Sequence, residues 1–403
     1  MFKLIAKKST ARGGQIKTKN GVLNTPFFMP DATRGFVKSL DRDDLSSVGV
    51  NPMVVNTYHL YLQPGTELIK NAGGIHEFMN WHAPLLSDSG GYQVFSLIHK
   101  NPEMGKITDE AVIFKSPLDG SMHVISPEKS IQIQFDLGVD MMVVLDDVPP
   151  NSYTKEKIRD AVERTVRWAA RCKVEYEKQL KARKISASKR PLIFGVIQGG
   201  GHADLRKYCA EELAKIGFDG YGFGARHVDV DGNFMEDIVR ETAELIPERA
   251  LRFALGVGTP ADIVKFIECG WDMFDCVIPT REGRHGRLFL RKSNFKFSIF
   301  PPKADQPRAG NFQANLNDQI LNNKKNTDTE SFYETININN GKFKEDFGPV
   351  DADCDCALCR NYTRSYLHHL FAMKDSLAMR LAAMHNLKFY MDLMEKLREN
   401  LKG

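Results

Sequence analysis

The fold this sequence predicts is a (β/α)8 TIM barrel that carries an inserted β-hairpin and a C-terminal zinc-binding helical subdomain. Three observations predict it. Eight short apolar runs alternate with stretches of helical spacing along the first 280 residues, the pattern of parallel strands with crossover helices. Polar residues and glycines repeatedly follow the apolar run directly, and that is the C-terminal rim, where barrel enzymes hold their chemistry. Three cysteines crowd together at Cys354, Cys356 and Cys359, ahead of a last helical stretch. An open doubly wound sheet is the competing fold.

The 403 residues, 42% of them hydrophobic, suffice for one barrel-sized domain with an appendage. A net charge of +4 is too mild to argue for nucleic acid. There is no apolar run long enough for a membrane span, and the opening Met1–Lys8 lacks the apolar core of a signal peptide. Seven cysteines, four scattered and three clustered, suit a reducing compartment and a metal site more than a disulfide framework. The expected setting is the cytoplasm.

The first run is 25–30, between prolines, and the second is Met53-Val54-Val55, closing on Asn56-Thr57-Tyr58-His59. The third, 84–87, runs straight into Asp88-Ser89-Gly90-Gly91-Tyr92-Gln93. The fourth is 141–145, closing on Asp146-Asp147, and the fifth is 192–197, closing on Gln198-Gly199-Gly200-Gly201. Residues 220–224 are a weak sixth, and 252–255 are a seventh that closes on Gly256-Val257-Gly258. The eighth leads to Asp275. Helical spacing covers 153–184, 205–216, 235–245 and 260–269, the last opening on a proline. Segments 111–114 and 122–125 alternate around Asp119-Gly120, which predicts a hairpin inserted after the third strand. The expected division is a catalytic barrel over 1–300, a polar and mobile insertion over 301–345, and a zinc-binding helical subdomain over 346–403 packed on the barrel.

Asp275 is the one carboxylate in the mostly apolar run Met273 to Ile278. Pro279 ends that run, and Arg281, Arg284, His285 and Arg287 follow in a loop broken by glycine. Buried carboxylates are uncommon unless paired or functional. Asp88 stands at another strand end, before two glycines that let backbone approach a ligand, with Tyr92 as a flat face for stacking. Asp146 could accept from a guanidine-like edge such as N1–H and N2–H of guanine, and Gln198 offers both a donor and an acceptor to a purine. Each alone reads as a structural polar residue; four on successive rims of one barrel point to a site. Two carboxylates, Asp88 and Asp275, suit glycosyl transfer through a covalent intermediate, one attacking the anomeric carbon and the other moving a proton. The C-x-C-x-x-C spacing of Cys354, Cys356 and Cys359 matches a structural zinc corner, with His368, His369 or His385 as the fourth ligand.

Those motifs resemble the queuine tRNA-ribosyltransferase family, the tRNA-guanine transglycosylases. The resemblance rests on 87–93 (Ser-Asp-Ser-Gly-Gly-Tyr-Gln), 274–281 (Phe-Asp-Cys-Val-Ile-Pro-Thr-Arg), and the cysteine motif with Tyr366-Leu367-His368-His369 and His385-Asn386 after it. It covers nearly the whole chain except about 293–340. It implies a barrel enzyme that exchanges guanine at the anticodon wobble position for a 7-deazaguanine, either queuine or its 7-aminomethyl precursor. The implied partners are the Asp, Asn, His and Tyr tRNAs, and the implied assembly is a homodimer without membrane association. By the same resemblance Asp275 is the nucleophile on the ribose C1′ and Asp88 the general acid/base. Ser89, Gly90, Gly91, Tyr92, Asp146, Gln198, Ala225 and Leu255 bind the base. Two segments contact tRNA: Gly256, Val257, Gly258, Thr259, Pro260, Ala261 and Asp262 in one, and Thr280, Arg281, Glu282, Gly283 and Arg284 in the other. One structural Zn2+ is held by Cys354, Cys356, Cys359 and His385.

The sequence departs from that family in three places. Gly224-Ala225-Arg226-His227 stands where a Gly-Gly-Leu type run is usual, Val148 stands where many bacterial members carry Cys, and the stretch at about 293–340 is extra. The first two bear on the base pocket and favour queuine as the incoming base. A catalytically silent tRNA-binding subunit and a relative acting on DNA are the alternative functions; retention of both Asp88 and Asp275 speaks against the first.

Overall fold

The computed structural model of the chain describes residues 2–150, 152–292 and 332–402. Eight parallel strands form its centre: β1 Phe27–Pro30, β2 Met53–Val55, β3 Leu85–Ser87, β4 Met141–Val143, β5 Leu192–Ile197, β6 Gly220–Phe223, β7 Leu251–Ala254 and β8 Met273–Cys276. Each of β2 to β8 pairs with its neighbour in sequence, and β8 returns to β1 with Met273 opposite Phe27 and Cys276 opposite Pro30. β1 closes on β2 through a parallel bridge from Asp31 to Val54, where the Ala32 N–H donates to the Val54 carbonyl at 2.7 Å. The strands therefore form the expected barrel; an open sheet would reverse its strand order part-way.

Side chains two apart on a strand share a face. Met141 and Val143, Phe194 and Val196, and Leu251 and Phe253 form one buried cluster with Met29, Val54, Leu86 and Met273. Phe2, Ile16 and Leu23 join the same cluster. Ile16 and Leu23 lie on, and Phe2 directly precedes, a three-stranded antiparallel sheet, Lys3–Lys8, Ala11–Thr18 and Gly21–Thr25, which sequence patterning did not predict because its strands hold few apolar residues. Buried Arg12 fixes this sheet at the strands' starting ends. It donates to Asp272 at 2.9 and 3.1 Å and to the carbonyls of Glu248 and Ala250, residues that lead into β8 and β7. One mouth of the barrel is thereby closed, and the rim at the strand C-termini is left for chemistry.

Helices Lys155–Ala182, Ala203–Ile216, Glu236–Leu245 and Pro260–Glu268 fall where apolar spacing placed them. Thr154 and Thr259 cap two of them by accepting from the N–H groups of Lys157 and Asp262. The inserted hairpin pairs Val112–Lys115 with Met122–Ile125, Val112 opposite Ile125, and gains a third strand at Gly105–Ile107.

One expectation is corrected. The segment after Asp275 is not a glycine-broken loop but a helix, Ile278–Arg284, with Pro279 in its first turn, where a missing N–H costs nothing. Gly283 serves packing: a Cβ there would lie 2.8 Å from the backbone of Ala382 and Ala383, in the long C-terminal helix Ser376–Lys402. The insertion expected over 301–345 lies outside the described residues as far as residue 331. Beyond that point Tyr333–Asn337 pairs with Arg287–Arg291, and Ile338 and Phe343 are buried with Leu288, Leu290 and the three clustered cysteines. The described part of that stretch thus packs with the C-terminal subdomain. Among the described residues, no helix is long and apolar enough to cross a membrane.

Candidate active site and metal centre

At the strand C-termini a cavity of about 300 Å³ is lined by Asp31, Thr33, Val54, Asn56, His59, Asp88, Gln93, Asp275 and Val277. Asp88 follows β3 and is held by four donors. Its Oδ1 accepts from the backbone N–H of Thr57 (2.9 Å) and Gly90 (3.1 Å); its Oδ2 accepts from Asn56 Nδ2 (2.5 Å) and Gln93 Nε2 (3.2 Å). Burial pushes its carboxyl up to about 7 against the pull of those donors, and the charge of Asp31 adds to the rise. Asp275, on β8, accepts from the Gly256 N–H at 2.8 Å. Burial raises its carboxyl well above the usual range, and the charges of Asp31 and Asp88 raise it further.

Asp146 and Gln198, expected to read a purine edge, are buried and bonded to each other, Gln198 Nε2 donating to Asp146 Oδ2 at 2.7 Å. Burial lifts the Asp146 carboxyl to about 7, against the Gln198 hydrogen bond and the Ser89 hydroxyl and with the charge of Asp147. Gln198 Oε1 is buried without a partner. A Cβ at Gly224 would lie 2.5 Å from the Gln198 amide, so only glycine lets the β6 rim approach it. Ala225 follows with φ +67°, and Leu255 fills the space beside Gly222. Ser89, Gly90 and Gly91 are buried, whereas Tyr92 is 64% exposed and open to a stacking partner. His227 is bound to Asp262 at 3.2 Å and packs edge-on against Phe266; neither it nor Arg226 lines the carboxylate cavity.

The two segments expected to contact RNA are unequally exposed. Gly256 and Arg281 are exposed; Thr259, Ala261, Asp262, Glu282 and Arg284 are half-buried; Val257, Gly258, Pro260, Thr280 and Gly283 are buried. Asp262 is occupied by His227, and Glu282 lies 3.7 Å from Arg281 and 3.8 Å from Arg287.

Cys354, Cys356, Cys359 and His385 are all buried, and their ligand atoms lie within 4.8 Å of one another. Tetrahedral zinc with Zn–S near 2.3 Å separates its ligands by roughly 3.8 Å, so this set fits the ion. The donor chemistry fits as well: His385 Nε2 lies 2.8 Å from the Phe289 carbonyl while Nδ1 faces Cys359 Sγ at 3.3 Å and Cys356 Sγ at 3.7 Å. A carbonyl partner fixes the proton on Nε2 and frees Nδ1 as the ligand. Of the other candidates, His368 is turned to the Ile338 carbonyl at 2.7 Å, and His369 is not in the cluster.

The family model described as queuine tRNA-ribosyltransferase matches residues 7–403. The chain belongs to that family. Among curated relatives of the same description, the protein of Halothermothrix orenii is 41% identical over 392 residues, 97% of this chain and 90% of the relative. That of Thermodesulfovibrio yellowstonii is 40% identical over 99% of this chain and 90% of its own length, and that of Aliivibrio salmonicida 37% identical over 100% and 93%. The chain is accordingly a queuine tRNA-ribosyltransferase, a pentosyltransferase on a TIM-like barrel with a Cys3His zinc centre.

Within this ribosyltransferase the zinc centre also braces the active-site rim. Asn386, next to the ligand His385, donates to the carbonyls of Pro279 and Arg287 at 2.9 Å, and Tyr390 donates to the Gly258 carbonyl at 2.5 Å. Two further residues escaped the sequence reading. Buried Arg206 donates to the carbonyls of Gly200, Ile197 and Gly224 and lies 3.9 Å over the Phe223 ring, fixing the loops on either side of Gln198. No local pattern marks it. Asp31 does carry a signal: it is a carboxylate directly after an apolar run, as Asp88 is.

Proposed function

We propose that this enzyme exchanges guanine at the wobble position of tRNA for a 7-deazaguanine by double displacement, with Asp275 as nucleophile and Asp88 as general acid/base. The observation that carries the reading is the convergence of Asp88 and Asp275 in one cavity, with Ser89, the residue after Asp88, hydrogen-bonded to Asp146 of the buried Asp146–Gln198 pair. Asp275 acts as the carboxylate, its proton having left to solvent before attack; steadied at one oxygen by the Gly256 N–H, it uses the other to attack C1′ as the bond to N9 of guanine breaks. Asp88 gives the departing base a proton. It then takes one from N9–H of the incoming base, whose nitrogen displaces Asp275 from C1′. Two inversions retain the configuration, and one glycosidic bond replaces another, so no energy source is needed. A carboxyl lifted to about 7 suits transfer in both directions near neutral pH.

The extruded base would offer N1–H and N2–H to Asp146. Those donors favour the ionised carboxylate, so base binding would release a proton from Asp146. Gln198 Nε2 would then turn in part from Asp146 to the purine oxygen. Arg281 and Arg284 would hold the backbone beside the flipped nucleotide. The same reading includes a homodimer.

Queuine is the favoured incoming base. Val148 replaces the Cys usual in bacterial relatives, and Arg226 would repel the ammonium of the aminomethyl base. The hold of Asp262 on His227 also keeps one bulky side chain from competing for the pocket. Incorporation of labelled guanine into tRNA but not duplex DNA tests the reaction; incorporation into DNA alone would replace the reading with the DNA-acting alternative. Chasing the label with each base separately tests the preference, and faster displacement by the aminomethyl base would overturn it.

A further inference from the structure

We propose that Asp31 is a specificity-determining residue of this site, its carboxylate accepting a hydrogen bond from the 2′-hydroxyl of the target nucleotide. The inference rests on the exchange reaction proposed above. Asp31 is the first residue beyond β1, which lies between β8, bearing Asp275, and β2, which leads to Asn56. Its side chain lines the same cavity as Asp88 and Asp275. Asp88 has four donors and Asp275 has the Gly256 N–H, whereas the Asp31 carboxylate has no hydrogen-bond donor among the described residues.

An enclosed carboxylate without a donor is unfavourable, and two more carboxylates nearby make it worse. Burial lifts Asp31 to about 6, and the positive charge of Arg281 opposes the rise; the role proposed here belongs to its ionised form, as an acceptor. Such a group gains most from a donor that arrives with the ligand. C1′ must meet Asp275, and the base must extend toward Asp146 and Gln198, just beyond the ends of β4 and β5. The sugar then lies on the side of β8, β1 and β2, where Asp31 stands.

Inside a polynucleotide the 3′ and 5′ oxygens are esterified. The 2′-OH is therefore the one hydroxyl that an internal ribonucleotide can donate, and DNA lacks it. It sits on the carbon adjoining C1′, and hydrogen bonds at that position strengthen as the sugar becomes oxocarbenium-like. Two other acceptors in the cavity suit this role less well: Asn56 Oδ1 is taken by the His59 N–H, and Gln93 Oε1 is closed off from solvent. The proton stays on O2′ throughout; Asp31 makes no bond to the sugar.

The test is guanine exchange into anticodon stem-loops bearing either guanosine or 2′-deoxyguanosine at the wobble position, with the wild-type enzyme, Asp31→Ala and Asp31→Asn. A hydrogen bond to a charged acceptor predicts that wild type prefers the ribose substrate by about tenfold or more in kcat/KM, and that Asp31→Ala narrows the preference to within about threefold. Asp31→Asn, which keeps an uncharged acceptor, falls between. Because the Asp31 side chain forms no hydrogen bond among the described residues, both variants should melt no lower than wild type. An equal ribose preference in wild type and Asp31→Ala overturns the inference, as does the lack of a preference in wild type, and either leaves the exchange reaction standing. Absence of exchange by wild type on the ribose stem-loop overturns the reaction itself, and the inference with it.

Discussion

Replacing Asp88 by Asn should stabilise the folded enzyme at alkaline pH while destroying its exchange activity. The Asp88 carboxyl rises from an ordinary 3.8 to about 7 on folding, so between those values the folded state binds a proton that the unfolded chain has released. Stability is therefore highest below pH 4 as far as this group is concerned, falls as pH rises from about 4 to about 7, and stays low above that. About three units at 1.36 kcal/mol each give about 4 kcal/mol; water in the cavity screens part of this, leaving about 1–3 kcal/mol. Asn never ionises and escapes the loss. It has a cost of its own: one acceptor oxygen can serve Thr57 and Gly90, but its NH2 faces the amides of Asn56 and Gln93. Gln93 can turn its unpartnered Oε1 to that NH2, whereas Asn56 is held by its cap to His59, so about one hydrogen bond, roughly 1 kcal/mol, is lost at every pH. The decisive quantity is the difference in unfolding free energy between variant and wild type at pH 8 minus that at pH 4, from urea titrations, in which the constant cost cancels. It should be positive by about 1–3 kcal/mol. A value of zero or below would refute the claim that burial holds a protonated carboxyl at this position.

Asp275→Asn should abolish exchange and any denaturant-stable enzyme–tRNA adduct, since an amide oxygen is too weak a nucleophile at C1′; an adduct surviving on denaturing gels would remove Asp275 from the role. Cys356→Ala should lower zinc content and thermal midpoint together, with metal analysis giving one zinc per wild-type chain, and loss of zinc with an unchanged midpoint would contradict a structural ion. Arg281→Ala and Arg284→Ala should each weaken tRNA binding and reduce the slope of log affinity against log salt by about 1; unaltered slopes in both would place the RNA elsewhere.

The barrel was legible because its strands are short, buried and apolar, and because the rim polar residues interrupt them at regular places. Asp88, Asp146, Gln198 and Asp275 were legible for the same reason: each is a polar group where a buried run ends. The zinc triad was written in its spacing alone, since Cys354, Cys356 and Cys359 lie within six residues. Spacing left the fourth ligand open among His368, His369 and His385; the family resemblance named His385, and the tertiary structure supplies the physical reason, since the ring of His385 meets the Phe289 carbonyl and leaves Nδ1 to the cysteines, whereas His368 turns to Ile338. The helix after Asp275 was misread because Gly283 signals a break in sequence, whereas in space it admits the backbone of Ala382. The same limit hid Arg206, and it hid the neighbours of Asp31, though not its place at a strand end. A buried cation that holds two loop carbonyls and the end of β5, and a third carboxylate that shares a cavity with two others, are products of ring closure, which brings residue 31 beside residues 88 and 275. Sequence by itself determined which residue types stand at the rim; the closing of β1 on β8 and β2 decided which of them share one cavity, because charge and hydrogen bonding act through space and not along the chain.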